Sequence, residues 1–389
     1  MPRARRFSPP LSVGVLLSGR EQFIPYYGGA LARWTYEVYS RLQDAVRVTV
    51  FGFPINQPHT YPLPHETTGH WRTCQVVSCI PLARRYEEKL WLRALFPRLR
   101  HRDVLHIHNR PQWVRILRSF GYHGALVLHL QNNHLGHWSA PMLDELARDV
   151  DRLAVCSRFL FDTFAPRSQA LCDKTEIIFN GVNTALFFPR EEFREAKTIL
   201  FAGRFAAEKG VLQLVRAYKR VLRVHEDARL VIAGSFGFGR DEETSYVQQV
   251  RALADRITRN GKGDIRFTGY LHHDQELPSW FQRATIFCCP SLFPEPFGLV
   301  NAEAMACATP VVGANRGGIP QVLGDTGRLV DPENAGQFAG TVSELLSNAA
   351  ECRRLGRAAL IRARQFFDWS EVSEEWIAFL HHLSLHRST

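Results

Sequence analysis

Residues 290–321, PSLFPEPFGLVNAEAMACATPVVGANRGGIPQ, restrict the fold more tightly than any other stretch of the chain. An apolar run, residues 284–289, precedes them and reads as a strand. A Pro-rich loop follows and holds Glu295. A helix opening near Gly298 then carries Glu303 one turn in, and residues 309–313 read as a second buried strand. Strands that are apolar on both faces and joined through a helix belong to a parallel sheet covered on both sides. Arg316-Gly317-Gly318 closes the unit with a loop that lets a ligand approach the backbone. Helix N-termini gather unpaired N–H groups and positive potential, so the start of this helix suits a phosphate or sugar hydroxyls. Loop, helix, strand and loop, with acids and glycines at the strand ends, resemble a nucleotide crevice. The plainer alternative makes Glu295 and Glu303 solvated acids at a helix start.

The same rhythm runs through the chain. Residues 13–17 form an apolar strand, and Gly28-Gly29 precede a helix over 31–42. That glycine pair either admits a phosphate to backbone N–H groups or makes a plain turn. Further strands are expected at 46–51, 103–109, 125–130 and 153–157, with a strand and turn at 177–183. In a doubly wound sheet ligands lie at the carboxyl ends of strands, which directs His108, His129 and His134 toward a crevice. A metal site from His106, His108, His129 and His134 is the rival. It is disfavoured because His106 and His108 share a strand face and no nearby carboxylate completes a ligand set. A charged stretch at 184–197 reads as a linker.

The second half restarts with a strand at 198–202, the loop Gly203-Arg204-Phe205-Ala206-Ala207-Glu208-Lys209-Gly210 and a helix over 211–224. Arg204 and Lys209 bracket the start of that helix, where two cations and N–H groups suit a diphosphate; a solvated basic loop is the alternative. The Gly-rich loop SFGFGRDEE after strand 230–234 lacks a following Lys-Ser/Thr, which excludes a P-loop ATPase. A strand at 265–269 leads to Tyr270-Leu271, and residues 369–386 form an amphipathic helix.

Length and an apolar content of 45% favour two domains of ordinary globular content. No run of eighteen apolar residues is present to span a bilayer. The basic and then apolar start is read as a first strand rather than a signal peptide, because its apolar run is short and lacks a small-residue cleavage site. Eight scattered cysteines without a C-x-x-C pair favour reduced thiols and a cytoplasmic chain. Charge is uneven: residues 1–190 hold 24 Lys+Arg against 14 Asp+Glu, and residues 191–389 hold 24 against 24. The formal +10 therefore belongs to the first half, which suits an acidic partner, either an anionic membrane surface or nucleic acid. Residues 81–102, opening with Pro81 and closing with Arg102, carry Leu82, Tyr86, Leu90, Trp91, Leu95 and Phe96 near helical spacing among seven basic residues. Such a helix either lies in the headgroup region of an anionic leaflet or packs its apolar stripe on the protein.

The Glu-x7-Glu spacing inside FPEPFGLVNAEAMACATPVVG and the downstream glycine pair resemble the signature of the retaining GT-B-fold glycosyltransferases of family 4, the group 1 glycosyltransferases, of bacterial cell-envelope type. The GRxxxxKG run at 203–210, the LHIH strand and the NGVN segment ending in Asn183, where the family more often has Asp, extend the resemblance. It implies an α/β chain of GT-B fold, with two Rossmann-like doubly wound domains and a cleft between them. Residues 1–187 would bind acceptor, with 370–389 crossing back to them, and 188–369 would bind a nucleoside-diphosphate sugar. It further implies a base near Tyr270 and Leu271, a ribose on Glu303, and a diphosphate between Arg204, Lys209, Gly28 and Gly29. Glu295 would reach sugar hydroxyls beside Phe297, Gly298 and Leu299, and His129 would stand at the anomeric centre. Transfer would proceed with retention and without a metal or other cofactor. The acceptor would be a saccharide or glycolipid of envelope polysaccharide or lipopolysaccharide biosynthesis, reached peripherally at the inner face of the membrane. A phosphorylase needs a Lys for pyridoxal phosphate, and no Lys can be placed in that role from the sequence. A nucleotide-sugar epimerase shares the fold, and a nucleic-acid binder would leave Glu295, Glu303, Arg204 and Lys209 without a reason to coexist.

Overall fold

Strands with no polar face must be covered on both sides, and the apolar runs above satisfy this in two parallel sheets. The computed structural model describes residues 10–17, 23, 29–42, 44–52, 75–78, 85–234, 244–259 and 263–385. Gly28 and residues 81–84 lie outside them. The chain divides into two units, Met1–Asn180 with Trp369–Thr389, and Gly181–Asp368. The sequence expectation had set these divisions after residues 187 and 369.

In the first unit the strands are β1 (Leu11–Leu16), β2 (Val46–Gly52), β3 (Gln75–Ser78), β4 (Val104–His108), β5 (Ala125–Leu130), β6 (Arg152–Val155) and β7 (Thr175–Ile177). They pair in parallel in the order β3-β2-β1-β4-β5-β6-β7. The order reverses at β1 and β4, the doubly wound arrangement that the sequence rhythm predicts. β4 and β5 are buried along their whole length. Helix α1 (Ala30–Arg41) and the final helix, Trp369–Leu385, belong to this same unit. Trp34 of α1 meets Trp376 of the final helix edge to face at 4.7 Å.

Helix α2 (Arg85–Leu99) and α3 (Pro111–Ser119) bear on the membrane expectation. Trp91, Leu92, Leu95 and Leu99 of α2 are buried, and the Trp91 ring lies 5.2 Å from that of Trp113 on α3. Phe96 packs on Phe120 at 5.6 Å. The indole that was to dip into a headgroup layer is therefore enclosed in the first unit, and Phe96 is half-covered. Of the large apolar side chains described on α2, only Leu90 is well exposed. The packed-stripe alternative describes α2, because burial against α3 removes the same apolar area from water without a lipid partner. Lys89, Arg93 and Arg98 remain on the outer face.

The second unit contains β8 (Thr198–Ala202), β9 (Arg229–Ala233), β10 (Asp264–Gly269), β11 (Ile286–Cys289), β12 (Val311–Ala314) and β13 (Arg328–Val330). All pair in parallel, in the order β10-β9-β8-β11-β12-β13, with the reversal at β8 and β11. Helix α4 (Val211–Val221) follows β8 and turns Val211, Leu214, Val215, Tyr218 and Val221 into the core. Helices α5 (Leu277–Arg283) and α6 (Leu299–Ala306) flank β11 in sequence. Among the described residues no helix is long and apolar enough to cross a membrane, and the six described cysteines carry free thiols.

Burial holds the His129 ring down at about 3, and His106 and His108 well below their ordinary value of 6.5. The folded chain keeps all three neutral while the unfolded chain protonates them below about pH 6.5, so their contribution is complete above that pH and is lost as pH falls. Each contributes a slope of about 1.4 kcal/mol per pH unit. Urea unfolding of the first unit at pH 6.5 and pH 5 should show this loss, and His129→Phe should reduce the slope by about a third.

Candidate functional site

At the reversal of a doubly wound sheet the loops after the two central strands diverge to opposite faces and leave a crevice at the strands' carboxyl ends. In the second unit those loops are residues 203–210 after β8 and 290–298 after β11, and the strands pair directly through Ile199 with Ile286 and Leu200 with Phe287. The first loop makes one 3-10 turn, Ala207–Lys209, and ends at Gly210 in the left-handed region, φ 73°. A Cβ on Gly210 would stand 1.9 Å from the Pro290 carbonyl oxygen, so no side chain fits there. The Glu208 carbonyl accepts the backbone N–H groups of Leu292 at 2.8 Å and Phe293 at 3.2 Å, and the Ser291 hydroxyl at 3.2 Å. The two loops are therefore fixed to one another through backbone groups.

That junction brings Lys209 to Glu295. Lys209 Nζ lies 2.5 Å from Glu295 Oε1, and Ser291 Oγ donates to the same oxygen at 2.9 Å. The Glu295 side chain is 12% exposed and that of Lys209 is 21% exposed, so solvent screens this pair less than a surface one. Glu295 is held from behind as well. Its carbonyl accepts the Gly318 N–H at 2.7 Å, and Gly317, φ 62°, approaches it so closely that a Cβ would lie 2.3 Å from that oxygen. The glycine pair noted in the sequence thus closes around Glu295. Arg316 donates to the Leu292 carbonyl of the same loop at 3.1 Å and pairs with Asp331 at 3.1 Å and Glu333 at 2.5 Å.

Gly298, φ 85°, caps α6 without a side-chain hydrogen bond, and Leu299 is its first residue. Phe297 is buried and sets its ring edge-on to Phe367 at 5.4 Å. Glu303 is buried on α6, and its two oxygens differ. Oε1 lies 2.7 Å from His273 Nε2, whereas Oε2 is buried with no hydrogen-bond partner among the described residues. Tyr270 is exposed and Leu271 half-buried, three and two positions before His273. Arg204 is apart from Lys209 in its pairing: it reaches Glu208 at 3.0 Å with both side chains well exposed, a rim pair of little energetic weight.

The first-unit residues are placed differently. Gly29 caps α1 in extended conformation. His129 has no exposed surface, and its ring lies 4.5 Å from Trp34 and 5.1 Å from His108. β5 is covered on both faces, so the ring points into the interior, with neither nitrogen partnered among the described residues. The metal alternative meets a cluster here, since nitrogens of His106, His108 and His129 lie within 4.8 Å of one another, without His134. Trp376 Nε1 donates to the Tyr39 hydroxyl at 3.2 Å, that hydroxyl lies 3.0 Å from His106 Nδ1, and Thr35 Oγ1 lies 3.1 Å from His108 Nε2. His106 Nε2, His108 Nδ1 and both ring nitrogens of His129 are buried without a hydrogen-bond partner among the described residues. Sequence reasoning missed Ser291 and His273. The first is visible as a hydroxyl four positions before Glu295; the second sits in the His-His-Asp triplet after Leu271 but has no local signal linking it to Glu303.

Two doubly wound parallel-sheet units make this a chain of GT-B fold, and solved structures agree. Anabaena HepE, in complex with UDP and glucose, superposes with a TM-score of 0.73 at 20% identity, covering 96% of this chain and 100% of that one. Sucrose-phosphate synthase from Thermosynechococcus elongatus gives 0.76 at 20% identity over 97% and 100%. Residues 183–362 match the family model described as Glycosyl transferases group 1. That match spans nearly all of the second unit. Over longer spans the chain is similar to Spore coat protein SA of Bacillus subtilis strain 168, 28% identical over 71% of this chain and 77% of that protein. It is also similar to the putative glycosyltransferase YtcC of the same organism, 29% identical over 70% of each.

Replacing Gly210 by Ala should destabilise the second unit by at least about 2 kcal/mol, from the left-handed backbone and the Pro290 clash together. Gly340, inside the helix Ala335–Ser347 with nothing near its Cβ position, is the control. Gly340→Ala should stabilise by about 0.5–1 kcal/mol in the same urea titration.

Proposed function

We propose that this chain transfers a sugar, with retention, from a nucleoside-diphosphate sugar to a hydroxyl of a saccharide or glycolipid, as the resemblance to family 4 implies. The observation that carries the reading is the Glu303 carboxylate, buried at the carboxyl side of the second sheet with one oxygen unpartnered, in the same unit as a fixed lysine on the loop after β8. A buried carboxylate oxygen left unpaired is costly unless a donor arrives, and ribose hydroxyls are such donors. Lys209 has three N–H donors and gives one to Glu295, so the others can meet diphosphate oxygens. Arg204, exposed and weakly paired, can swing from Glu208 to the same anion. Tyr270 and Leu271 offer backbone groups to the base, and Glu295 offers its second oxygen to the sugar.

In this reading the anomeric C–O bond to the diphosphate breaks as positive charge develops on the sugar. The acceptor hydroxyl attacks from the face the diphosphate leaves, and its proton passes to the departing phosphate. Stabilising the departing anion with fixed cations and N–H groups requires no reorganisation during the reaction. These groups replace a metal ion, and turnover should therefore persist in EDTA. The positive charge of the first half suits an acceptor carrying or presented among anionic groups, as in a bacterial envelope.

A thermal-shift panel with UDP, GDP and ADP tests the donor site. UDP is the first choice, since HepE is described in complex with it. A nucleotide at a hundredfold excess over Kd should stabilise the chain by about 2.7 kcal/mol; no shift with any of the three would overturn the reading. Glu303→Ala should raise KM for the donor sugar, and Lys209→Ala should lower kcat by about 100-fold or more.

A further inference from the structure

His273 is the one side chain with a hydrogen bond to the Glu303 carboxylate among the described residues, and it has no part in the proposed reaction. It lies on the turn between β10 and α5. That turn is closed by backbone groups: the His272 carbonyl accepts from Gln275 at 3.3 Å, Glu276 at 2.9 Å and Leu277 at 3.2 Å, while the His272 N–H reaches Glu276 Oε2 at 2.8 Å. The imidazole is held at both nitrogens. Nδ1 lies 2.6 Å from Asp274 Oδ1, and Nε2 lies 2.7 Å from Glu303 Oε1. Its ring edge also meets Phe187 at 5.2 Å. Each ring nitrogen thus stands within hydrogen-bonding distance of one carboxylate oxygen. Asp274, His273 and Glu303 therefore form a line of hydrogen bonds that starts on the turn and ends on α6.

The consequence falls on Glu303. A carboxylate bound at one oxygen by a fixed partner cannot rotate freely, and its other oxygen takes a defined direction. Oε2 is that oxygen, buried and unpartnered. We infer that His273, backed by Asp274, is a positioning residue that occupies Glu303 Oε1 and aims Oε2 at the vicinal diol of a ribonucleotide, so that the site selects ribose over a sugar without those hydroxyls. This rests on the nucleotide-sugar reading above and adds to it a residue and a selectivity. One carboxylate oxygen has two lone pairs and can accept from both hydroxyls of a diol. Without His273 the carboxylate could turn, or present both oxygens in no fixed direction, and the diol would lose its defined acceptor.

The test uses the full chain and two probes: the nucleoside diphosphate that stabilises it in the panel above, and the dideoxy analogue lacking both ribose hydroxyls. Calorimetric titration gives the affinity ratio of the two. The wild type should prefer the ribonucleotide by about tenfold or more, as expected for hydrogen bonds to a charged group. In His273→Ala that preference should fall to within about twofold, with affinity for the dideoxy analogue unchanged and with donor KM raised more than kcat is lowered. His273→Gln, whose amide can still donate to Glu303, should recover part of the preference, and Asp274→Ala should lose part of it. Unchanged affinity for the dideoxy analogue also shows that each variant keeps its fold. A preference that survives in His273→Ala would overturn the inference and leave the donor site standing. Tighter ribonucleotide binding in that variant would overturn it too, since His273 would then compete with the diol. Equal affinity of the wild type for both probes would instead remove the Glu303–ribose contact beneath it, and no binding of either would remove the donor site itself.

Discussion

The second unit depends on one close approach, the Gly210 backbone against the Pro290 carbonyl oxygen. β8 and β11 are neighbours at the centre of their sheet, so the loops leaving their carboxyl ends must share the same space. Side chains at that crossing would push them apart. With Gly210 there, the Glu208 carbonyl reaches Leu292 and Phe293, and Lys209 comes to Glu295 although the two are 86 positions apart. The ion pair is thus a result of backbone packing rather than its cause. This order suits a site that must keep its charges in place, because groups held by the fold stabilise charge without moving first.

Charge in the site is arranged in two grades. Lys209 and Glu303 are tied into the structure by partners that are themselves fixed, Ser291 and Glu295 on one side and His273 and Asp274 on the other. Arg204 lies on the same loop as Lys209 but is exposed and, among the described residues, pairs with Glu208 alone, four residues away. A fixed cation and an adaptable one answer different needs. The first defines where an anion sits, and the second can follow it.

The first unit shows how aromatic residues mislead when read without partners. Trp91 and Phe96 among arginines carry the same pattern whether they meet lipid or another helix. α3 and the residue that caps its end supply Trp113 and Phe120 at the matching positions, and the pattern becomes packing. His129 also needs its partners to be read. A histidine closing an apolar strand suggests a ligand at the strand's end, but Trp34 and Trp376 enclose it from two helices more than 300 positions apart in the chain.

What the sequence by itself determined is the set of strands and the chemistry at their ends. Buried parallel strands are mostly apolar along their length, so residues 125–130 and 198–202 are legible at their true bounds. Gly210, Gly298 and Gly317 stand where positive φ is needed, and Glu295 and Glu303 keep a spacing that α6 and its loop impose. Tertiary structure alone decided which polar groups meet: His273 with Glu303, Ser291 with Glu295, Trp376 with Tyr39. Local spacing follows from the period of a helix or strand, and the chain carries it residue by residue. The meeting of side chains from separate elements depends on strand order and on which face each helix covers, and no local pattern records those.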